Sequence, residues 1–103
     1  MTRIVSDKLD AIAALAQKRG VSRLFLFGSG LSKDFNRQRS DLDFLVEFKP
    51  RTPTEYADSY FGLLEDLHQL LDLPIDLIEL GPISNPYFRE EIERTKVRLY
   101  EAA

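Results

Sequence analysis

The sequence predicts a small α/β (α+β) domain in which helices pack on a sheet of three to four strands. Two patterns point there. Apolar residues at helical spacing alternate along the chain with short β-branched and aromatic runs, and glycines and prolines punctuate most of the changes. The 103 residues leave room for one domain, 1–103, and 44% hydrophobic with 30% charged content is an ordinary globular balance.

Taken in order, Ser6 is placed to cap a first helix, with Asp7 where the helix dipole favours an anion. Leu9, Ile12, Ala13 and Ala16 recur on one helical face, and Gly20 supplies the stop. Val21 to Phe27 reads as a strand, buried because Leu24 to Phe27 are continuously apolar, and it ends at Gly28-Ser29. Leu31 and Phe35 are spaced for a short helix within the polar stretch 30–40. Asp41 to Phe48 is the clearest strand. Leu42, Phe44, Val46 and Phe48 share one of its faces, and Asp41, Asp43, Leu45 and Glu47 share the other.

Thr52-Pro53-Thr54-Glu55 is a capping box with proline at the first helical position. The helix it starts carries an apolar stripe of Tyr56, Tyr60, Leu63, Leu64, Leu67 and Leu71, and Pro74 is expected to end it. Counting Phe61 and Leu70 as well, the band is wider than a small sheet needs, which predicts a surface for a partner chain. Ile75 to Leu80 is a third strand, with Ile75 and Leu77 on one face and Asp76 and Ile78 on the other. Gly81-Pro82 turns the chain, Asn85-Pro86 caps a last helix to about Lys96, and Val97 to Tyr100 forms an edge strand.

The composition excludes several chemistries. Without cysteine there is no disulfide, thiolate metal site or cysteine nucleophile, and one histidine, His68, cannot make a multi-histidine centre. A net charge of −3 gives no support to duplex nucleic-acid binding. No apolar run approaches the ~18 residues of a membrane span, and the first residues lack the apolar core of a signal peptide. The expected setting is the cytosol.

Asp41 and Asp43, at i and i+2 of a strand, project from one face roughly 7 Å apart along the chain. Strands deplete aspartate, and like charges at ~5 Å with an effective dielectric of ~20 repel by about 3 kcal/mol, so a counter-cation is expected. Oxygen-only ligands point to Mg²⁺ or Mn²⁺ rather than zinc. Alone, the pair also suits a capped and solvated strand edge. Two features weigh against that reading. Gly28-Ser29 follows an apolar strand, where glycine and free N–H groups let a phosphate approach the backbone. Asp76 lies inside the apolar run Ile75 to Ile78, where an unpaired buried carboxylate would be costly, and beside the second strand it would join Asp41 and Asp43.

Leu26-Phe27-Gly28-Ser29 followed by Ser40-Asp41-Leu42-Asp43-Phe44-Leu45-Val46-Glu47-Phe48 resembles the signature of the DNA-polymerase-β-like nucleotidyltransferase superfamily. With the Pro74-Ile75-Asp76-Leu77-Ile78 strand and the Asn85-Pro86-Tyr87-Phe88-Arg89-Glu90-Glu91-Ile92 tail, the chain is similar to its minimal nucleotidyltransferase domains. The MntA-type antitoxins of HEPN/MNT toxin–antitoxin modules are of that kind. The resemblance implies a mixed sheet and a two-metal site, with Gly28 and Ser29 holding the triphosphate. Asp41 and Asp43 would bind Mg²⁺ (two ions, with Mn²⁺ as a substitute), and Asp76 would complete the catalytic and metal-binding set. It further implies transfer of AMP from ATP to a hydroxyl, a tyrosine of a HEPN-domain toxin, with the chain acting as antitoxin in a hetero-oligomer. The alternative is a non-catalytic module that neutralises its partner by occlusion. One departure from the pattern stands out: the usual Ala-Arg-Gly-like segment after Gly-Ser is Gly30-Leu31-Ser32-Lys33-Asp34 here, leaving Lys33, Arg37 or Arg39 as candidate cations for the phosphates.

Overall fold

The computed structural model describes residues 1–31, 41–79 and 85–103. Among these residues four helices, α1 (Arg3–Ser6), α2 (Leu9–Lys18), α3 (Pro53–Leu71) and α4 (Pro86–Thr95), accompany four strands, β1 (Val21–Phe27), β2 (Leu42–Phe48), β3 (Ile75–Glu79) and β4 (Val97–Glu101). The strands form one sheet in the order β3-β2-β1-β4. β1 pairs antiparallel with β2 and β4, whereas β3 runs parallel to β2, so the sheet is mixed. A parallel neighbour needs a crossover, and α3 supplies it.

The continuous apolar run of β1 has a simple cause: it is buried on both faces. Leu24 and Leu26 join one core with Leu42, Phe44 and Val46 of β2, Ile12 and Ala16 of α2, and Leu63, Leu67 and Leu71 of α3. Phe25 and Phe27 turn the other way and pack with Leu45 and with Ile92 of α4. The first core is large and the second small, so α4 covers its face thinly. Among the described residues no helix is long and apolar enough to cross a membrane.

The caps of the two later helices form as the sequence predicts. Thr52 and Glu55 make the reciprocal capping box of α3, and Asn85 Oδ1 accepts from the backbone N–H groups of Tyr87 (3.0 Å) and Phe88 (3.2 Å). Gly20 ends α2's turn at φ 73°. One expectation needs correction. Ser6 does not cap α2; it closes α1, and α2 starts after Lys8 without a side-chain cap. The reason is tertiary: Val5 is buried, and the Thr2 N–H donates to the Gly30 carbonyl at 2.8 Å, which draws the N-terminus onto the sheet. α3 ends at Leu71, ahead of Pro74 as expected, and Asp72 closes it with a left-handed backbone (φ 54°) and its N–H on the His68 carbonyl. β1 is followed by a 3₁₀ turn, Gly28–Leu31, and the short helix expected from Leu31 to Phe35 lies, beyond Leu31, outside the described residues. Phe35, Lys33, Arg37, Arg39 and the Gly81-Pro82 turn lie outside the described residues.

The broad apolar band of α3 is also corrected. Leu63, Leu67 and Leu71 are core, Tyr60, Leu64 and Leu70 pack against it, and of the band only Phe61 stands out, 65% exposed. The helix covers the sheet and part of α2, and that consumes nearly all of its apolar surface.

Candidate active site

The sheet register builds the site. Phe27 of β1 stands opposite Asp43 of β2, and Asp43 stands opposite Asp76 of β3, so one transverse row crosses three strands. Asp41 lies just ahead of β2 and shares Asp43's face. That face is the one under α4, where cover is thin. Asp43 is half-buried, while Asp41 and Asp76 are exposed.

Burial, then the charge of Asp76, then that of Asp41 push the Asp43 carboxyl up to about 6. The three aspartates are therefore close enough to oppose one another's ionisation. The argument that brought Asp76 into the set is corrected: it is not a buried charge, because β3 is an edge strand and the residue is exposed. Its register with Asp43 is what places it there.

Gly28 meets the row from β1. Its φ is 70°, and a Cβ there would lie 2.5 Å from Asp43 Oδ2, so no other residue fits without displacing that carboxylate. Ser29 follows on the same 3₁₀ turn. The turn and α4 enclose a concavity of about 360 Å³ lined by Gly28, Leu31, Glu91 and Thr95. Phe88 of α4 packs on Phe27 with ring centroids 6.3 Å apart.

A family model for the nucleotidyltransferase domain matches residues 10–99. The chain belongs to that nucleotidyltransferase family. A chain of Methanocaldococcus jannaschii named as a protein adenylyltransferase is 38% identical over 79 residues, covering 77% of this chain and 76% of that one. Among solved structures, one described as a minimal nucleotidyltransferase superposes with a TM-score of 0.66 at 28% identity, covering 90% of each chain. A mutant of the MntA toxin–antitoxin complex gives 0.69 at 19% identity, covering 91% of this chain and 73% of that one. A toxin–antitoxin with AMP-PNP gives 0.67 at 21% identity over the same shares. At those two identities the likeness is one of fold.

A nucleotidyltransferase of this family uses a divalent cation, and the donor set suits one. All three carboxylates are hard oxygen donors, and the repulsion that raises Asp43 is what a cation would relieve. They do not form a finished cage: among the described residues no group of three His, Cys, Asp or Glu side chains closes around a single point. Sequence reasoning passed over two further residues of this nucleotidyltransferase as polar groups, taking Tyr56 and Tyr60 only as rings in an apolar stripe. The Tyr60 hydroxyl donates to the Leu77 carbonyl at 2.6 Å, and burial followed by the charges of Glu79 and Asp76 raises its pKa. The Tyr56 hydroxyl is likewise raised, first by burial and then by the nearby Glu79 carboxylate. Their i, i+4 spacing opposite alternate residues of a strand was the available signal.

Proposed function

We propose that residues 1–103 act as a single minimal nucleotidyltransferase domain in the cytoplasm, an antitoxin that moves AMP from ATP to a tyrosine hydroxyl of a HEPN-domain toxin in a Mg²⁺-dependent reaction. The observation that carries the reading is the carboxylate row beside the Gly28 turn, with Asp43 held near pH 6 by burial and by its two acidic neighbours. The relative named as a protein adenylyltransferase supports a protein acceptor. The toxin–antitoxin structures of the same fold, one of them with AMP-PNP, support the partner and the nucleotide.

In this reading Asp41, Asp43 and Asp76 hold Mg²⁺, as two ions for which Mn²⁺ can substitute. Bound metal steadies the attacking and leaving oxygens of an in-line displacement. Gly28 and Ser29 present backbone to the triphosphate at a point where no Cβ intervenes. The tyrosine oxygen attacks the α-phosphorus, the new O–P bond forms as the bond to the β-phosphate oxygen breaks, and pyrophosphate leaves. Asp76, exposed on the edge strand, is open to an acceptor delivered by a second chain and takes the phenolic proton.

The test is incubation with ATP, Mg²⁺ and the HEPN-domain product of the neighbouring gene. A mass increase of one AMP on a tyrosine of that partner is expected, and Asp41→Asn should abolish it. Complex formation without transfer, under any metal or nucleotide, would replace this reading with neutralisation by occlusion.

A further inference from the structure

We infer that α1 braces the Gly28–Leu31 turn, and that Thr2, acting through the Gly30 carbonyl, is thereby a positioning residue for the phosphates of the nucleotide. The inference deepens the proposed function: it rests on that reading of the turn and concerns how the turn is held.

The turn needs holding. It is a single 3₁₀ turn, and two of its four residues are glycines, whose backbone is the least restricted of all. Its inner side is seated closely. A Cβ at Gly30 would lie 3.0 Å from Leu26 Cδ1 and 3.1 Å from Leu42 Cδ2, so the backbone rests on β1 and on the residue between Asp41 and Asp43. Leu31 packs against the large core. These contacts are apolar and non-directional. They set how near the turn lies to the sheet, and they leave the rotation of its peptide planes free.

A hydrogen bond fixes a plane. The Thr2 N–H donates to the Gly30 carbonyl at 2.8 Å, one residue beyond Ser29. The Thr2 carbonyl in turn accepts from the N–H groups of Val5 (3.2 Å) and Ser6 (3.1 Å), so a single residue links the turn to α1. With four residues α1 is far too short to persist alone, and tertiary contacts hold it: Val5 is fully buried in the large core, and Ile4 packs against the same core. Thr2 is itself buried, yet its side chain makes no cap bond in α1. Its contribution to the turn is the backbone donor. Rotation matters here because the Gly28 backbone stands against Asp43 Oδ2, and the proposed function sets Gly28 and Ser29 against the triphosphate. Turned peptide planes would leave the carboxylates in place and misdirect the phosphates.

The test compares Thr2→Pro and Thr2→Ala with the parent. Thr2 has φ −62° and ψ 144°, which proline adopts without strain. Thr2→Pro therefore removes the donor, and its ring carbon pushes the Gly30 carbonyl aside, whereas Thr2→Ala keeps the donor. Val5→Ala loosens α1 from the core without touching the bond, and it decides the matter if Thr2→Pro does not fold. Leu15→Ala, a truncation on α2, is the control for lost stability. Three quantities are read by calorimetric titration and amide exchange: affinity for a non-hydrolysable ATP analogue at saturating Mg²⁺, affinity for Mg²⁺ alone, and exchange from Ser29 to Leu31 relative to β1 without ligand. Thr2→Pro is expected to weaken the analogue roughly three- to tenfold, the size of one lost hydrogen bond, with Mg²⁺ affinity unchanged and exchange of the turn faster. Val5→Ala should act in the same direction, while Thr2→Ala and Leu15→Ala should match the parent in all three quantities. Parent-like exchange of the turn in both Thr2→Pro and Val5→Ala would overturn the brace. So would an equal loss of analogue affinity in Thr2→Ala or Leu15→Ala, or a loss of Mg²⁺ affinity as large as that of the analogue. A parent chain that binds no nucleotide would remove the proposed function instead, and the exchange comparison would still decide whether α1 braces the turn.

Discussion

Asp43 is where burial and charge conflict most openly. Its carboxyl is raised to about 6 from an ordinary value of 3.8. The folded chain therefore binds this proton more tightly than the unfolded chain. Stability that is fully present below about pH 4 is lost as pH rises through about 6. Discounted for its partial exposure, the penalty at neutral pH is about 1–2 kcal/mol. Asp43→Asn removes it, so in metal-free buffer the variant should melt above the parent at pH 7 and match it near pH 4. Melting curves across that range check this, and a gap that does not grow with pH would mean that Asp43 is not strained. Gly28→Ala makes the opposite prediction. Its φ of 70° costs a side chain roughly 1–2 kcal/mol before the added Cβ meets Asp43 Oδ2, so this variant should melt lower and lose Mg²⁺ affinity together. At this scale the sequence made the acids and the glycine visible through their types and spacing. It could not show which aspartate is buried, because that depends on β2 lying inside the sheet and β3 at its edge.

Elements were legible where their signals are local. The Thr52–Glu55 capping box and the Asn85 cap act within one helical turn, and both form where the residues predict them. The start of α2 was misread because Ser6 is recruited by a contact that is distant in sequence: the N-terminus is pinned to Gly30. The α3 band was misread for a similar reason, since the area a sheet needs covered becomes known only when its fourth strand is in place. α4 offers a direct test of local against tertiary support. It buries only Ile92, so its cap carries an unusual share of its stability. Asn85→Ala is expected to cost about 1 kcal/mol, lowering the melting temperature by about 4–8 °C. Amide exchange should rise first at Tyr87 and Phe88, the two donors left without Asn85 Oδ1. Loss spread evenly over the sheet would contradict this account of α4.

For the molecule as a whole, the strain at Asp43 makes ligand binding and folding a single linked equilibrium. On the proposed function, Mg²⁺–ATP stabilises the folded chain by RT ln(1 + [L]/Kd), about 2.7 kcal/mol at a hundredfold excess over Kd. At 4–8 °C per kcal/mol for a domain of this size, that corresponds to a rise of roughly 10–20 °C. In the proposed site the cation needs Asp43 ionised, and with its carboxyl at about 6 only about a tenth of the metal-free chains meet that condition at pH 5. Apparent affinity should then fall about tenfold from its value at pH 7.5, taking about 1.4 kcal/mol off the stabilisation. The melting shift caused by Mg²⁺–ATP should therefore be several degrees smaller at pH 5 than at pH 7.5. In Asp43→Asn it should vanish at both. Shifts of equal size at the two pH values in the parent would show that the nucleotide binds without calling on this carboxylate, and the carboxylate row would lose its claim to be the metal site.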